Sequence, residues 1–145
     1  MVRKLIVLIA RAVLLTSCAS TSATNPTTPT PPQVTVATSV NLLAQSLDAA
    51  VSGLQAAHTA GKISDADFLT AEGVAQVIAT TGKSINAELN STDAWNVQKT
   101  KILTIISQAG ISAAVSKLPP TAGALLAASV VAYNQIATAV GSPTI

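Results

Sequence analysis

Catalytic side chains are scarce in this chain. It has one cysteine, which excludes an internal disulfide and the paired-thiol metal and redox motifs, since each needs two thiols. His58 is the single imidazole, so a Ser-His-Asp arrangement has one candidate base, which must lie within hydrogen-bonding reach of a nucleophile. His58 continues an apolar stripe from Leu54 and precedes Gly61 by three residues. A half-buried histidine interacting with a helix end is the ordinary reading of that position. Aromatic residues are 2% of the chain; Phe68, Trp95 and Tyr133 are expected to pack in a core. Stacking platforms for nucleic-acid bases are thereby excluded.

Charge is also sparse, at 10% of residues against about 25% in typical soluble domains. The acids are Asp48, Asp65, Asp67, Glu72, Glu88 and Asp93. Only Asp65, Asp67 and Glu72 cluster, and they lack the further ligand and the glycine of an EF-hand loop. Acids in a helix's first turn are expected from the helix dipole. No Gly-rich phosphate loop or HExxH sequence occurs. These absences predict a protein with no catalytic residues, no metal ligands and no cofactor, hence not an enzyme.

What the chain does have is a marked beginning. Arg3 and Lys4 precede the apolar run Leu5 to Leu15, and Leu15-Thr16-Ser17-Cys18 follows. A basic n-region, an apolar stretch of about 7–15 residues and a small-residue cleavage site make a secretory signal peptide. Arg11 interrupts the run, at a cost of roughly 2.5–3.5 kcal/mol on insertion scales. The run is too short for a transmembrane helix, which needs about 20 apolar residues. Leu15 to Cys18 resemble the lipobox of bacterial lipoproteins. That resemblance implies a signal peptide over residues 1–17, cleavage after Leu15, Thr16 and Ser17, and lipid on Cys18: a diacylglyceryl group and, in the full pathway, an acyl chain such as palmitate on its amine. Ala19 rather than Asp after the cysteine implies lipid anchoring in the outer membrane, facing the periplasm.

Removal of Arg3, Lys4 and Arg11 would take the formal net charge from +2 to −1. The basic character of the chain therefore belongs to the targeting segment. The remaining Lys62, Lys83, Lys99, Lys101 and Lys117 are dispersed and form no basic stripe of the kind nucleic acid requires. Residues 19–33 are rich in Ser, Thr and Pro with no large apolar side chain, a composition that cannot offset its ordering entropy. With Cys18 they read as a lipidated, flexible tether of residues 18–33, extending up to roughly 45 Å at about 3.1 Å per residue.

From residue 34 the apolar spacing is helical. Val36, Val40, Leu43, Leu47, Ala50, Leu54 and Ala57 alternate by four and three, placing them on one stripe. Gly61 fits the left-handed position that ends a helix. Ser64 reads as the next N-cap, Asp67 as its capping-box partner, and Ile63 with Phe68 as a hydrophobic staple. Phe68, Ala71, Ala75, Ile78, Gly82, Ile85 and Leu89 then carry a second stripe. After the break at residues 90–93, Trp95, Ile102, Ile106, Ala109 and Ala113 predict a third helix with Gly110 near its middle and Lys117 in its last turn. Pro119 and Pro120 separate it from a charge-free fourth, Ala122 to Val140. There Ser129, Asn134, Gln135 and Thr138 are expected to face water.

Short connections imply antiparallel neighbours, so residues 34–145 predict an all-α domain, a small antiparallel bundle of about four helices. No family motif marks it; its size, low charge and Ala/Thr-rich helices are similar in style to small lipoproteins of bacterial or phage origin. The expectation is a membrane-anchored envelope lipoprotein presenting a helical bundle for structural or protein-binding purposes. Its partners would be the membrane, through the lipid at Cys18, and an envelope protein or a second copy, with no nucleic acid. The alternative is a membrane-active protein of phage-lysis type with a C-terminal hydrophobic hairpin of residues 102–116 and 122–140.

Overall fold

The computed structural model describes residues 30–145, which are all-α, with no strand among them. Four long helices and one short turn of helix follow in order: α1 (Pro31–Thr59), α2 (Asp65–Leu89), α3 (Trp95–Gln108), α4 (Ile111–Val115) and α5 (Pro120–Val140). The chain runs up and down, with α3 and α4 together forming the third arm. α5 packs along α1 in the most extensive pairing, and α2 lies on the other flank of α1. Two cross-helix neighbours fix α5 antiparallel to α1: Ser39 meets Gln135 near one end, and Gly53 meets Leu125 near the other.

The ends of α1 and α2 follow from local chemistry. α1 begins three residues before the expected boundary, so Pro31, Pro32 and Gln33 are helical rather than part of a tether. Proline suits a helix's first positions because its missing N–H would be unsatisfied there and its φ is already helical. At the other end Gly61 takes φ +69°, and the Lys62 amide reaches back to the Ala57 carbonyl at 2.9 Å, satisfying an acceptor the helix leaves open. Ser64 caps α2 as expected, its Oγ accepting from the Asp67 amide at 3.1 Å, and Ile63 beside it is buried.

The third arm departs from expectation. Gly110 does not sit inside a helix; it takes φ +63° and separates α3 from α4. The left-handed residue resets the helical phase. Ala113, placed on the stripe by continuous counting, is exposed, and Ile111 is buried instead. Lys117 lies just beyond α4.

The α1 stripe from Val36 to Leu54 is buried, and Ala57 packs against it partly covered. The α2 stripe is buried from Ala71 to Ile85, with Val74 and Thr81 added. Tyr133 is in the core, whereas Phe68 and Trp95 are half-buried at its margin. Two glycines set the interhelical approach. A Cβ on Gly82 would stand 3.1 Å from Leu43 Cδ2, and one on Gly53 3.1 Å from Leu125 Cδ2. The small residues of the seams thus let α1 approach both neighbours closely.

The polar residues of α5 have separate fates. Gln135 and Thr138 are exposed. Asn134 forms a double hydrogen bond with the Ile145 backbone, donating to its carbonyl and accepting from its amide, each at 2.9 Å. Ser129 corrects the expectation: it is fully buried, and its Oγ has no hydrogen-bond partner among the described residues. Its phase on α5, shared with Leu126, Tyr133 and Ile136, faces the core rather than water.

Candidate functional site

The sequence-derived site residues Leu15, Thr16, Ser17 and Cys18 lie outside the described residues. The remaining candidates, His58 and the Asp65, Asp67, Glu72 group, sit where α1 hands over to α2. His58 Nε2 and Asp65 Oδ1 are 2.6 Å apart. The imidazole also stacks on Phe68, with ring centroids 4.4 Å apart and planes 14° from parallel. His58 is half-buried in the last turn of α1, as expected, and also ties the first turn of α2 to that helix end. Asp67 lies beside the Ser64 cap. Among the described residues, no three His, Cys, Asp or Glu side chains are grouped to hold a metal ion.

The opposite end of the bundle holds a polar cluster. Gln98 is 2% exposed. Its Oε1 accepts from Gln33 Nε2 at 3.1 Å, and its own Nε2 donates to the Ser91 carbonyl at 3.2 Å. Ser91 Oγ donates to Glu88 Oε1 at 3.2 Å, and Lys101 bridges Glu88 and Asp93. The hydrogen bonds to Asp93 and then Glu88 raise the Lys101 pKa above its ordinary value. The cluster closes the α2–α3 turn and holds the first turn of α1 against α3. Sequence reasoning missed Gln98, although the signal was present. The third stripe leaves a gap of seven between Trp95 and Ile102, and position 98 fills it at the regular spacing of three and four.

Charge is divided unequally around the bundle. Asp65, Asp67, Glu72, Lys83, Glu88, Asp93, Lys99 and Lys101 all belong to the stretch from α2 to α3, whereas α1 carries Asp48 alone and α5 carries none. α1 and α5, which adjoin each other, are both long and apolar enough to cross a membrane by length and composition. Along their joint outer surface Leu42 is 45% and Val131 57% exposed, among exposed alanines such as Ala49, Ala124 and Ala128. The molecule is a helical bundle with one charge-poor, two-helix side, an arrangement consistent with a membrane-associated structural role in general.

No family model, no curated protein and no solved structure matches the chain.

Proposed function

We propose that the chain is a membrane-anchored envelope lipoprotein, exported by its first 17 residues and held by lipid on Cys18. In this reading it performs no chemistry and presents its helical bundle as a structural or protein-binding element. The observation that carries the reading is the combination of the Leu15 to Cys18 sequence with a bundle whose two most apolar helices are neighbours. Diacylglyceryl and acyl chains contribute about 0.8 kcal/mol per buried methylene, enough with two or three chains to make membrane attachment nearly permanent. The test is metabolic labelling with a fatty acid. Wild type should take up label and partition into detergent, and Cys18→Ser should lose both properties. Equal labelling of Cys18→Ser would overturn the reading.

A second reading, a membrane-inserted protein of phage-lysis type, draws on the spanning lengths of α1 and α5 and not on the expected hairpin of residues 102–116 and 122–140, whose first arm is split at Gly110. The burial pattern supports the anchored bundle instead. Val36, Val40, Leu43, Leu47 and Leu54 of α1 and Leu126, Tyr133, Ile136 and Val140 of α5 are buried in one shared core with Ile78, Ile85 and Ile102, and insertion would have to abandon it. A segment spanning residues 30–145 should therefore be helical and remain in solution without detergent, as circular dichroism and sedimentation would report. Release from membranes only by detergent would support the inserted form.

A further inference from the structure

We propose that the α1/α5 side of the bundle lies against a lipid surface, so that the domain rests flat on the membrane rather than hanging clear of it. The inference deepens the anchored reading above and takes from it the position of the anchor.

Three observations converge. The first is the distribution of charge: α1 and α5 together carry one acid, Asp48, whereas the stretch from α2 to α3 carries eight charged side chains. Asp48 does not obstruct the face. It is six residues from Leu42, which at 3.6 residues per turn turns it about 120° away around α1; Leu42 lies on the α5 flank with Ser39 and Gly53. The second is what the face exposes. Leu42 and Val131 stand out among small side chains, Ala49, Ala124 and Ala128, with hydroxyl and amide groups between them that can stay at headgroup level. The third is where the chain outside the bundle ends. Eleven residues lie between Cys18 and Thr30, twelve steps of chain that can span at most roughly 37 Å at about 3.1 Å per residue. That reach delivers the chain directly into the first turn of α1, so the helix nearest the anchor belongs to the charge-poor face. α1 is about 43 Å long at about 1.5 Å per residue, and the tether is long enough to let the whole helix settle onto the surface.

A lipid surface fits this face better than a second copy of the chain. Stable dimers bury about 800 Å² per partner and concentrate their energy in Trp, Tyr and Arg anchors seated in pockets. Here the exposed face has two larger aliphatic side chains and otherwise mostly alanines and small polar groups. A bilayer demands no matching pocket. Because the face bears no lysine, the contact should depend little on salt or on anionic lipid.

The test uses the segment of residues 30–145, which contains the complete core and no cysteine. Single cysteines replace Leu42 or Val131 on the face, and Leu69 or Val97 as controls on α2 and α3; Leu69 is 60% and Val97 41% exposed. Each carries an environment-sensitive fluorophore. The segment is held on phosphatidylcholine vesicles by an N-terminal hexahistidine and a chelating lipid, so the outcome is independent of whether Cys18 is lipidated in the cell. Labels at 42 and 131 should shift to the blue and be quenched several-fold by quenchers in the lipid, and labels at 69 and 97 should not. Four unshifted labels would overturn the proposal. So would a shift at 42 and 131 that appears without vesicles and grows with protein concentration, since a second copy would then cover the face. Lipid labelling lost in Cys18→Ser with all four fluorophores unshifted would leave the anchor standing and remove only the flat orientation.

Discussion

Two glycines on α2 allow packing to be separated from helix propensity. Gly73 and Gly82 lie within one helix, so Ala at either site brings the same intrinsic gain, about 1 kcal/mol relative to Gly in a helix interior. Their surroundings differ. Among the described residues a Cβ on Gly73 meets nothing within 4 Å, whereas one on Gly82 stands 3.1 Å from Leu43 Cδ2. Leu43 is 1% exposed and has no solvent into which it can turn. Forcing extra volume into a packed core typically costs about 1–3 kcal/mol. Gly73→Ala should therefore stabilise the bundle by about 1 kcal/mol, or about 4 °C in midpoint for a domain of this size. Gly82→Ala should be neutral or destabilising by up to about 2 kcal/mol, leaving the variants about 1–3 kcal/mol apart. Urea titration of the segment of residues 30–145, followed by helical circular dichroism, measures both, with equal slopes required for the comparison. If Gly82→Ala stabilises as much as Gly73→Ala, α1 and α2 do not approach as closely as described, and the role of the small seam residues is wrong.

Ser129→Ala should stabilise the bundle by about 1 kcal/mol or more, because it removes a buried hydroxyl that lacks a partner and otherwise carries a desolvation cost; a loss in thermal midpoint would contradict this. Ser64→Ala should cost about 0.5–2 kcal/mol in urea stability through loss of the α2 cap. Phe68→Ala should cost less than the roughly 3–5 kcal/mol of a fully buried ring, since Phe68 is half-buried against His58. Lys101 has a raised pKa, so its contribution is fully present below the unfolded value of about 10.4 and fades as pH rises through the higher folded value. Stability measured from neutral to strongly alkaline pH should decline less in Lys101→Met than in wild type.

Much of the fold was legible because apolar spacing and local boundary chemistry agree along α1 and α2. The left-handed Gly61, the Ser64 cap and the Ile63 staple position give one boundary three independent marks. The third arm lacked that redundancy. Gly110 can occupy a helix interior or a left-handed break, and the N-cap of α4 is Gly110 itself, with no side-chain cap bond to mark the boundary. Ser129 differs for another reason: its polarity points to water and its helical phase to the core, and phase decides which way a helical residue points. Gln98 shows the converse, a polar residue whose spacing indicates burial and whose buried partners come from the α2–α3 turn and the distant first turn of α1. The proposed lipidation site rests on an N-terminal pattern in the first 18 residues, outside the described residues. The unequal division of charge between the helices was readable residue by residue, but the adjacency of α1 and α5 was not, because the whole of α2 to α4 separates them.

That end-to-end pairing has a kinetic consequence. Ser39 and Gln135 are 96 positions apart, whereas the contacts of α1 with α2 and of α2 with α3 are made across short turns. Local hairpins can form early, but the wall opposite α2 stays open until the last helix is available. Chains emerge from synthesis N-terminus first, so a nascent chain lacking α5 leaves the Ser39 and Gly53 flank of α1 without its neighbour. Closure then occurs in one late step that depends on the C-terminal 25 or so residues. A chain truncated within α5 is expected to stay expanded and protease-sensitive rather than to form a smaller bundle.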